Sequence, residues 1–490
     1  MLAVVAGRRA SKRDADDLAR EVDRLRAQLK RVERERDELQ RDRQRLQRER
    51  DQLERERDRL RAELEAAHRA AKRQAAPFSK GEPTATPKRP GRKPGRRYGP
   101  RRWRARPAHV DQVVDVAPPP TCPRCGDRVV GTSAVRVQYQ ADLPPVRPHV
   151  TEFRCHVGRC QGCRRPVVGR DARQTSTATG AAASQVGPNT VAWAAWLHTG
   201  LGVPLAKVAT ILRTGFGLTI TAGGLAQALH RLGARASPTY DALVRAVRQS
   251  PVVAPDETGW KVGGRLWWLW AFVTPTVTVY AIQPGRGYPQ ATAILGVAYA
   301  GVLVRDGWAP YRKLTQATHQ TCLAHLLRRT HLLLETAQRG AARFPHAVRR
   351  LLQRAFALRD RRDAGMLTGH GLQVAIGRLA ADTARALAGH IIHPPNRRLQ
   401  QHLQTERAAL FTCLTRPDVA ATNWQAEQAI RPAVVTRKVC GGNRTPAGAV
   451  TQQVLASVLR TAAQQERDAL ALLVALQRSP VPVVAELTLP

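Results

Sequence analysis

The sequence predicts a multidomain α+β protein, and three observations support this fold class. An apolar heptad repeat in the first 75 residues predicts an N-terminal coiled coil. Two Cys-x2-Cys pairs further along predict a small zinc ribbon. After a helical region, apolar strands that lead into aspartate predict an α/β domain with a site at its strand ends.

The composition excludes some classes of protein and indicates a partner. The chain has 490 residues, of which 43% are hydrophobic, so it is not intrinsically disordered and has room for roughly three domains. It carries 79 Lys and Arg residues against 38 Asp and Glu, a net charge of +41. Self-repulsion of this size is tolerated beside a polyanion, and nucleic acid is the expected partner.

Three features bear on location. The apolar start of the chain is too short for a secretory signal. Residues 266–282 contain Pro275 and predict a buried β-hairpin, since a membrane-spanning helix needs about 20 apolar residues. Eight cysteines are too few for a disulfide scaffold in a chain of this length. We therefore expect a cytoplasmic protein without a membrane segment.

The predicted coiled coil spans residues 11–75. Four of its a positions are arginine, whose long stems can cover apolar surface while their charged ends pair with glutamate. The pattern predicts a homo-oligomer of undetermined strand number, and the alternative is a single solvated helix. The apolar d positions are Leu18, Leu25, Val32, Leu39, Leu46, Leu53 and Leu60.

A basic, flexible linker is predicted at residues 76–110, where proline and glycine interrupt runs of arginine and lysine. Such a segment cannot pack a core, but its cationic side chains can lie along phosphates or enter a narrow minor groove. The alternative is a solvated linker without a DNA contact. The candidate DNA-binding residues are Arg92, Lys93, Arg96 and Arg97.

Residues 111–170 contain the predicted zinc-binding module. Four thiolates on two turns complete a tetrahedral structural zinc site, and a hairpin of residues 135–139 and 149–154 is expected between the turns. Either Cys155 or His156 could replace a ligand, and reduced cysteines without a metal are the alternative. The predicted zinc ligands are Cys122, Cys125, Cys160 and Cys163.

Residues 171–249 predict a helical region. Gly215 and Gly217 end its second helix, and Thr221 is suited to cap the third. Short helices separated by glycines are typical of a DNA-binding helix-turn-helix, and a plain helical core layer is supported equally well. The four predicted helices lie near residues 188–198, 205–213, 225–232 and 240–247.

Two predicted strands each lead into an aspartate. A short apolar strand ends at Asp256, and a strand at 301–304 leads into Asp306, with strands at 265–273 and 276–282 between them. Carboxylates at neighbouring strand ends repel each other unless a divalent cation neutralises them, and Mg²⁺ prefers such hard oxygen ligands. Two Mg²⁺ ions about 3.5–4 Å apart can stabilise both the attacking and the leaving oxygen of a phosphoryl transfer. Glu257 is a rival ligand.

A third acid is expected from a later helix. Thr422 and Gln425 have the spacing of a capping box, which places Glu427 in a helix that Pro432 interrupts or ends. Arg431 lies one turn beyond Glu427, and the pattern alone favours an ordinary surface ion pair between them. The rival candidates for the third acid are Glu406 and Glu335.

Four motifs follow one another along the chain. They are Asp256-Glu257-Thr258-Gly259-Trp260; Asp306-Gly307-Trp308 with Tyr311; Cys322-Leu323-Ala324-His325; and Asn423-x3-Glu427-x2-Ile430-Arg431-Pro432 with Arg437-Lys438. In this order they resemble the insertion-sequence-66 family of DDE transposases, and the likeness covers nearly the whole chain.

The resemblance implies an RNase-H-like α/β catalytic domain at residues 250–465. A helical insertion would occupy about 330–421, and residues 466–490 would form a C-terminal tail. The resemblance also implies that Asp256, Asp306 and Glu427 form the catalytic triad and bind two Mg²⁺ ions. The role of the matching Cys322 and His325 stays open between core packing and chemistry.

The hypothesis is therefore a bacterial, nucleoid-associated DNA transposase. It would cut element ends and join 3′ hydroxyls to target DNA, with Zn²⁺ in the cysteine module, the coiled coil pairing protomers, and accessory transposition proteins as further partners. Arg431, Arg437 and Lys438 are candidates for holding DNA phosphates. The rival hypotheses are a non-catalytic DNA-binding regulator derived from a decayed transposase and a general nuclease of the same fold.

Overall fold

The computed structural model of the chain describes residues 2–73, 106–144, 146–178 and 185–487. Contacts between residues divide the chain into two compact units, residues 1–140 and 141–490. Among the described residues, none of the helices combines the length and the apolar character that crossing a bilayer requires.

The first unit is dominated by one long helix, α1 (Leu2–Arg73). The seven apolar d residues between Leu18 and Leu60 each expose more than half of their surface. Ion pairs one turn apart line the helix, such as Arg31 with Glu35 at 3.4 Å. A helix is therefore present where the heptads predict one, with an apolar stripe that is uncovered in the single chain. The predicted DNA-binding residues Arg92, Lys93, Arg96 and Arg97 lie outside the described residues.

The second unit is built on a mixed sheet with the strand order β5-β4-β3-β6-β7. β4 pairs antiparallel with both β3 and β5, whereas β6 pairs parallel with both β3 and β7. β1 and β2 form a separate hairpin. The strands are β1 (Val157–Arg159), β2 (Pro166–Val168), β3 (Val252–Val262), β4 (Arg265–Val273), β5 (Thr278–Gln283), β6 (Val302–Arg305) and β7 (Thr318–Thr321).

Helices pack on both faces of this sheet. They are α2 (Pro188–Ala195, continued by a π-helical turn at Trp196–Gly200), α3 (Leu205–Phe216), α4 (Ala222–Gln249), α5 (Tyr288–Leu295), α6 (Leu323–Thr336), α7 (Arg343–Asp363), α8 (Gly369–Ala388), α9 (Pro394–Thr405), α10 (Thr412–Thr415), α11 (Trp424–Cys440), α12 (Pro446–Gln464) and α13 (Ala469–Arg478). The helices from α6 to α10 lie between β7 and α11, where a helical insertion is expected.

Alternating residues along the strands divide the interior into two cores. Val253 and Leu303 contribute to one core with residues of α2 to α5, α12 and α13. Their neighbours Val252 and Val302 contribute to the other core with residues of α6 to α11. Because successive strand residues point to opposite faces, Val253 and Leu303 meet one set of helices, and Val252 and Val302 meet the other.

The edge strand β5 is covered by polar side chains of α12. The backbone N–H groups of Thr278 and Tyr280 donate to Thr461 Oγ1 and Ser457 Oγ at 3.1 and 2.8 Å. The N–H of Ile282 donates to a glutamine of the same helix at 2.9 Å. These bonds use groups that an open sheet edge would leave available for pairing with another chain.

The helical region at 188–249 differs from its prediction. The expected third and fourth helices form one helix, α4, in which Thr221 Oγ1 caps the N–H of Gly224 at 3.0 Å and Pro238 lies inside. Its buried stripe runs without a break from Leu225 to Val247, so burial against the sheet overrides the proline. α2, α3 and α4 share a core with the sheet, as the core-layer alternative expects.

The hairpin expected at 135–139 and 149–154 is wrong, because neither segment is a strand. Val135 and Val137 alternate as strand residues do, but they are exposed and have no surface to pack on. Instead, β1 and β2 flank the second Cys-x2-Cys pair.

The predicted C-terminal tail is also wrong in part. Residues 466–490 include α13, and Leu473 and Leu476 of this helix are buried in the core that contains α2. Gln477 Nε2 donates to Pro188 O at 3.0 Å. The end of the described chain therefore belongs to the folded unit.

Candidate active site

Strands β3 and β6 bring two of the predicted acids to the same level of the sheet. Val252 pairs in parallel with Val302, and the next residue of each strand pairs likewise, a register offset of fifty residues. Asp256 and Asp306 are separated by the same fifty residues, but they lie beyond the last paired residues, Val253 and Leu303. The negative charge of Asp306 acts on Asp256. Asp256 shares the parity of Val252 in β3, so its side chain leaves the strand on the face covered by α6 to α11.

β3 does not end at Asp256 as predicted. It continues to Val262, because its antiparallel pairing with β4 extends over Ala254–Val262 while its pairing with β6 stops at Val253. Asp256 therefore lies where β3 parts from β6, and Asp306 follows the last residue of β6. Both aspartates therefore lie just beyond the paired part of β3 and β6.

Helix α11 carries the third predicted acid in its first turn. The N-cap is Asn423, and the predicted capping box of Thr422 and Gln425 does not form. Pro432 lies inside the helix and does not end it. The Tyr280 hydroxyl donates to the carbonyl of Ala429 at 2.6 Å, in the turn where a proline removes a backbone donor.

Electrostatic interactions connect the three acids. Burial and the negative charges of Glu257, Asp306 and Glu427 raise the pKa of Asp256 to about 7, although the Glu257 N–H donates to Asp256 Oδ1 at 2.9 Å. Burial and nearby negative charges both disfavour the ionised form of a carboxyl group. The predicted triad therefore converges on one acidic region.

The donor set of this region fits a divalent cation, although the side chains do not close around one. Asp256 and Asp306 offer hard carboxylate oxygens of the kind that Mg²⁺ prefers. In the part of the chain that the structure describes, no three His, Cys, Asp or Glu side chains are grouped as metal ligands. Glu427 instead directs Oε1 towards His325 Nε2 at 3.5 Å and Arg328 Nη2 at 3.9 Å.

The rival acid Glu257 is held by the fold on the opposite face of β3. Its side chain is 1% exposed, and it accepts hydrogen bonds from Arg286 Nε at 2.8 Å and the Tyr311 hydroxyl at 2.6 Å. Burial raises the pKa of Glu257 despite these two donors. The Arg286 guanidinium lies over the rings of Trp268 and Trp308, 4.8 and 4.0 Å from their centroids. Glu257 thus has partners that Asp256 lacks.

The other two rivals are also paired. Glu406 is fully buried and accepts from Arg305 Nη2 at 2.8 Å, Arg312 Nη1 at 3.0 Å and Thr321 Oγ1 at 2.6 Å. Burial opposes its ionisation, but these donors together lower the pKa of Glu406. Glu335 is exposed on α6 and lies 3.3 Å from a histidine of the same helix.

Two basic residues of α6, His325 and Arg328, lie beside Glu427. A side-chain interaction with the Cys322 thiol, followed by the charge of Glu427, raises the pKa of His325 even though burial opposes this. Arg328 lies three residues further along the same helix, beside Glu427. Sequence reasoning missed Arg328, although the spacing from His325 places both on one helical face.

The three cationic candidates on α11 differ in their surroundings. Arg431 and Lys438 are exposed. Arg437 Nη1 donates to Thr258 Oγ1 at 3.2 Å and to the carbonyl of Gly259. Arg437 therefore fastens α11 to β3, next to the strand segment that carries Asp256.

Each Cys-x2-Cys pair forms a turn that favours a thiolate. The N–H groups of Arg124 and Cys125 lower the pKa of Cys122, which lies in the first unit. In the second unit the N–H of Cys163, followed by its thiol, lowers the pKa of Cys160. Lowered thiol pKa values are typical of cysteines that bind metal, but zinc binding stays a prediction.

Cys155 has other partners than the two pairs. Its sulfur accepts from Gln174 Nε2 at 3.2 Å, and its thiol lies 3.8 Å from the carbonyl of Phe153. Its surroundings therefore differ from those of Cys160, where the turn amides lower the thiol pKa.

The family model described as Transposase IS66 family matches residues 183–451, more than half of the chain. The matched segment contains the whole mixed sheet, α11 and all three acids of the predicted triad. No curated protein matches the chain. The chain therefore belongs to the IS66 transposase family.

Proposed function

We propose that this transposase cuts the ends of its insertion sequence and joins the resulting 3′ hydroxyls to target DNA by two-metal-ion phosphoryl transfer. Family membership supports the transposase role. The observation that supports the mechanism is the acidic region, in which burial and neighbouring carboxylates raise the pKa of Asp256 to about 7. Carboxylate oxygens are the ligands that Mg²⁺ prefers, usually together with phosphate oxygens of a substrate.

Asp256, Asp306 and Glu427 are the proposed Mg²⁺ ligands. Bound Mg²⁺ would supply activation of the attacking oxygen and stabilisation of the leaving oxygen. The chain holds Asp306 in place through the Trp308 N–H, which donates to Asp306 Oδ1 at 2.9 Å. Glu427 would be the third ligand, in place of its contact with His325 Nε2 at 3.5 Å.

DNA is the proposed partner on both sides of the reaction, as element ends and as target. Arg431 and Lys438 are exposed on α11, where they can hold phosphates beside the acids without reading sequence. The basic segment with Arg92, Lys93, Arg96 and Arg97 would add further phosphate contacts.

The proposal also includes pairing of protomers through α1 and a structural zinc site. The exposed apolar stripe of α1 would pair protomers as a coiled coil, so that two element ends are held together. Zn²⁺ would bind the predicted thiolates, Cys122, Cys125, Cys160 and Cys163. Accessory transposition proteins would join this assembly.

The test is cleavage of a duplex that contains an element end, in Mg²⁺, by the full chain. We expect Asp306→Ala to abolish cutting, whereas Glu335→Ala, which removes an exposed acid of α6, cuts like the parent. A parent that binds the duplex but never cuts it would be a non-catalytic regulator. An Asp306→Ala variant that cuts like the parent would disprove the triad.

A further inference from the structure

Cys322 and Asn423 make hydrogen bonds to the residues that directly precede Asp256 and Asp306, and the proposed function does not yet explain these bonds. We infer that Cys322 and Asn423 form a positioning junction, which holds the chain next to each of Asp256, Asp306 and Glu427. This inference rests on the proposed function, because its purpose is to keep three metal-binding carboxylates in one geometry. Neither residue touches substrate, so both are positioning residues.

Asn423 connects β3 to α11. The residue is fully buried, and its Nδ2 donates to the carbonyl of Pro255 at 2.9 Å, one residue before Asp256. Its own carbonyl accepts from the N–H of Glu427 at 3.1 Å. One residue thus determines the separation of the strand that carries the first acid from the helix turn that carries the third.

Cys322 connects β6 to the same point. Its N–H donates to the carbonyl of Arg305 at 2.8 Å, one residue before Asp306. Its sulfur accepts from the N–H of Asn423 at 3.2 Å. The bonds of Cys322 and Asn423 therefore form an uninterrupted chain from the residue before Asp306, through the junction, to the elements of Asp256 and Glu427.

The side chain of Asn423 bonds to β3 and does not cap its own helix, α11. Asparagine at an N-cap usually accepts a hydrogen bond from the first turn, yet Asn423 makes no side-chain cap. Its Oδ1 is buried and has no hydrogen-bond partner within the described residues. An orientation with Oδ1 towards the first turn of α11 would stabilise the helix more. The side-chain amide of Asn423 instead donates its hydrogen bond to β3.

Cys322 also fits this role better than a role as buried filler. Its sulfur accepts the N–H of Asn423, and its thiol interacts with His325, the residue that faces Glu427. Serine retains an acceptor at the same position, whereas alanine removes it. The pair of substitutions therefore separates hydrogen bonding from packing.

The chain offers a matched control for each residue. Asn396 is also buried at the start of a helix, donates from Nδ2 to Ala341 O at 2.7 Å and leaves Oδ1 without a partner within the described residues. Cys413 is also fully buried, but in α10. Asn396→Ala and Cys413→Ala should disturb the fold as much as the junction variants do, away from the acids.

The experiment measures Mn²⁺ binding by titration calorimetry and amide hydrogen exchange, both on the full chain without DNA. We expect Asn423→Ala and Cys322→Ala to bind Mn²⁺ at least about tenfold more weakly, the size typical for residues that orient metal ligands. The amides of Glu427 and Cys322 should exchange faster in Asn423→Ala. Cys322→Ser should recover part of the affinity, and both control variants should match the parent.

Each outcome decides the question. Junction variants that bind Mn²⁺ like the parent, or controls that lose as much affinity as they do, would overturn the positioning role and leave the proposed function intact. A parent that binds no Mn²⁺ at the acids, judged by comparison with Asp306→Ala, would overturn the proposed function and the junction with it. If Asn423→Ala does not fold, the contrast between Cys322→Ala and Cys322→Ser still decides.

Discussion

Two regions at the end of β6 hold acids in opposite ways. In the first region, burial and the negative charges of Glu257, Asp306 and Glu427 raise the pKa of Asp256 to about 7. One residue before Asp306, Arg305 pairs with Glu406, whose pKa the surrounding donors lower. The difference teaches that several donors around a buried acid can favour its ionised form, whereas burial and neighbouring negative charges disfavour it.

The second region also explains how the helices between β7 and α11 are joined to the strand that precedes Asp306. Glu406 follows α9, and its carboxylate binds Arg305 directly before Asp306. A Cβ at Gly307 would collide with the ring of His402 from the same helix, so glycine allows α9 to approach the turn after Asp306. We call Arg305, Arg312, Thr321 and Glu406 the arginine network.

The largest expected effect breaks the acidic region. We expect Glu427→Gln to lower the rate of DNA cleavage at least about a thousandfold, because losing about 4 kcal/mol of metal-mediated charge stabilisation corresponds to that factor. The free energy of unfolding should hardly change, since the side chain is 39% exposed. Cleavage assays and denaturant unfolding check both parts, with Glu335→Gln as the control. Equal cleavage by Glu427→Gln and the parent would remove Glu427 from the site.

The second prediction breaks the arginine network. Glu406→Gln leaves the buried Arg305 with an unpaired charge and should lower the free energy of unfolding by about 3–5 kcal/mol. Urea unfolding measures this loss. The double variant Arg305→Met/Glu406→Leu should recover most of it, because an apolar pair replaces the charges. Equal stability of Glu406→Gln and the parent would show that the network contributes little.

The third prediction uses pH to contrast the two regions. Because the pKa of Asp256 in the folded protein is above the ordinary value, the folded state binds this proton more tightly than the unfolded state. In EDTA, its contribution to stability should therefore be lost as pH rises from about 4 to about 7. Asp256→Asn should raise the free energy of unfolding at pH 8 by about 1–4 kcal/mol relative to the parent.

Thermal and urea unfolding of Asp256→Asn and the parent at pH 5 and pH 8 check this difference. Saturating Mg²⁺ should stabilise the parent at pH 8 and leave the variant largely unaffected. A variant that is less stable than the parent at pH 8 in EDTA would show that Asp256 is not repelled by its neighbours.

The smallest effect separates the two arginines of the network. Arg312 is 36% exposed, whereas Arg305 is 2% exposed. We expect Arg312→Met to cost less than about 1 kcal/mol, because a partly exposed ion pair is weakened by solvent and Glu406 keeps Arg305. Urea unfolding next to Arg305→Met measures the contrast. A loss as large as that of Arg305→Met would mean that the network acts as one inseparable group.

Part of the site follows from local patterns in the sequence. Apolar runs that lead into acids predict β3, β6 and the candidates Asp256 and Asp306, and their spacing of fifty residues equals the register offset between the strands. The family resemblance is confirmed by the match to the IS66 transposase family. It also singles out Glu427, for which pattern alone favours a surface ion pair.

What the sequence by itself determined is local: the heptads of α1, the strands β4 to β6, the cap at Thr221, and the order of the motifs. Only the tertiary structure shows which of the rival acids have counter-charges, because the partners come from distant parts of the chain. Glu406 meets Arg305 across 101 residues, and Glu257 meets Tyr311 across 54. The same reason applies to α4, where burial against the sheet overrides Pro238.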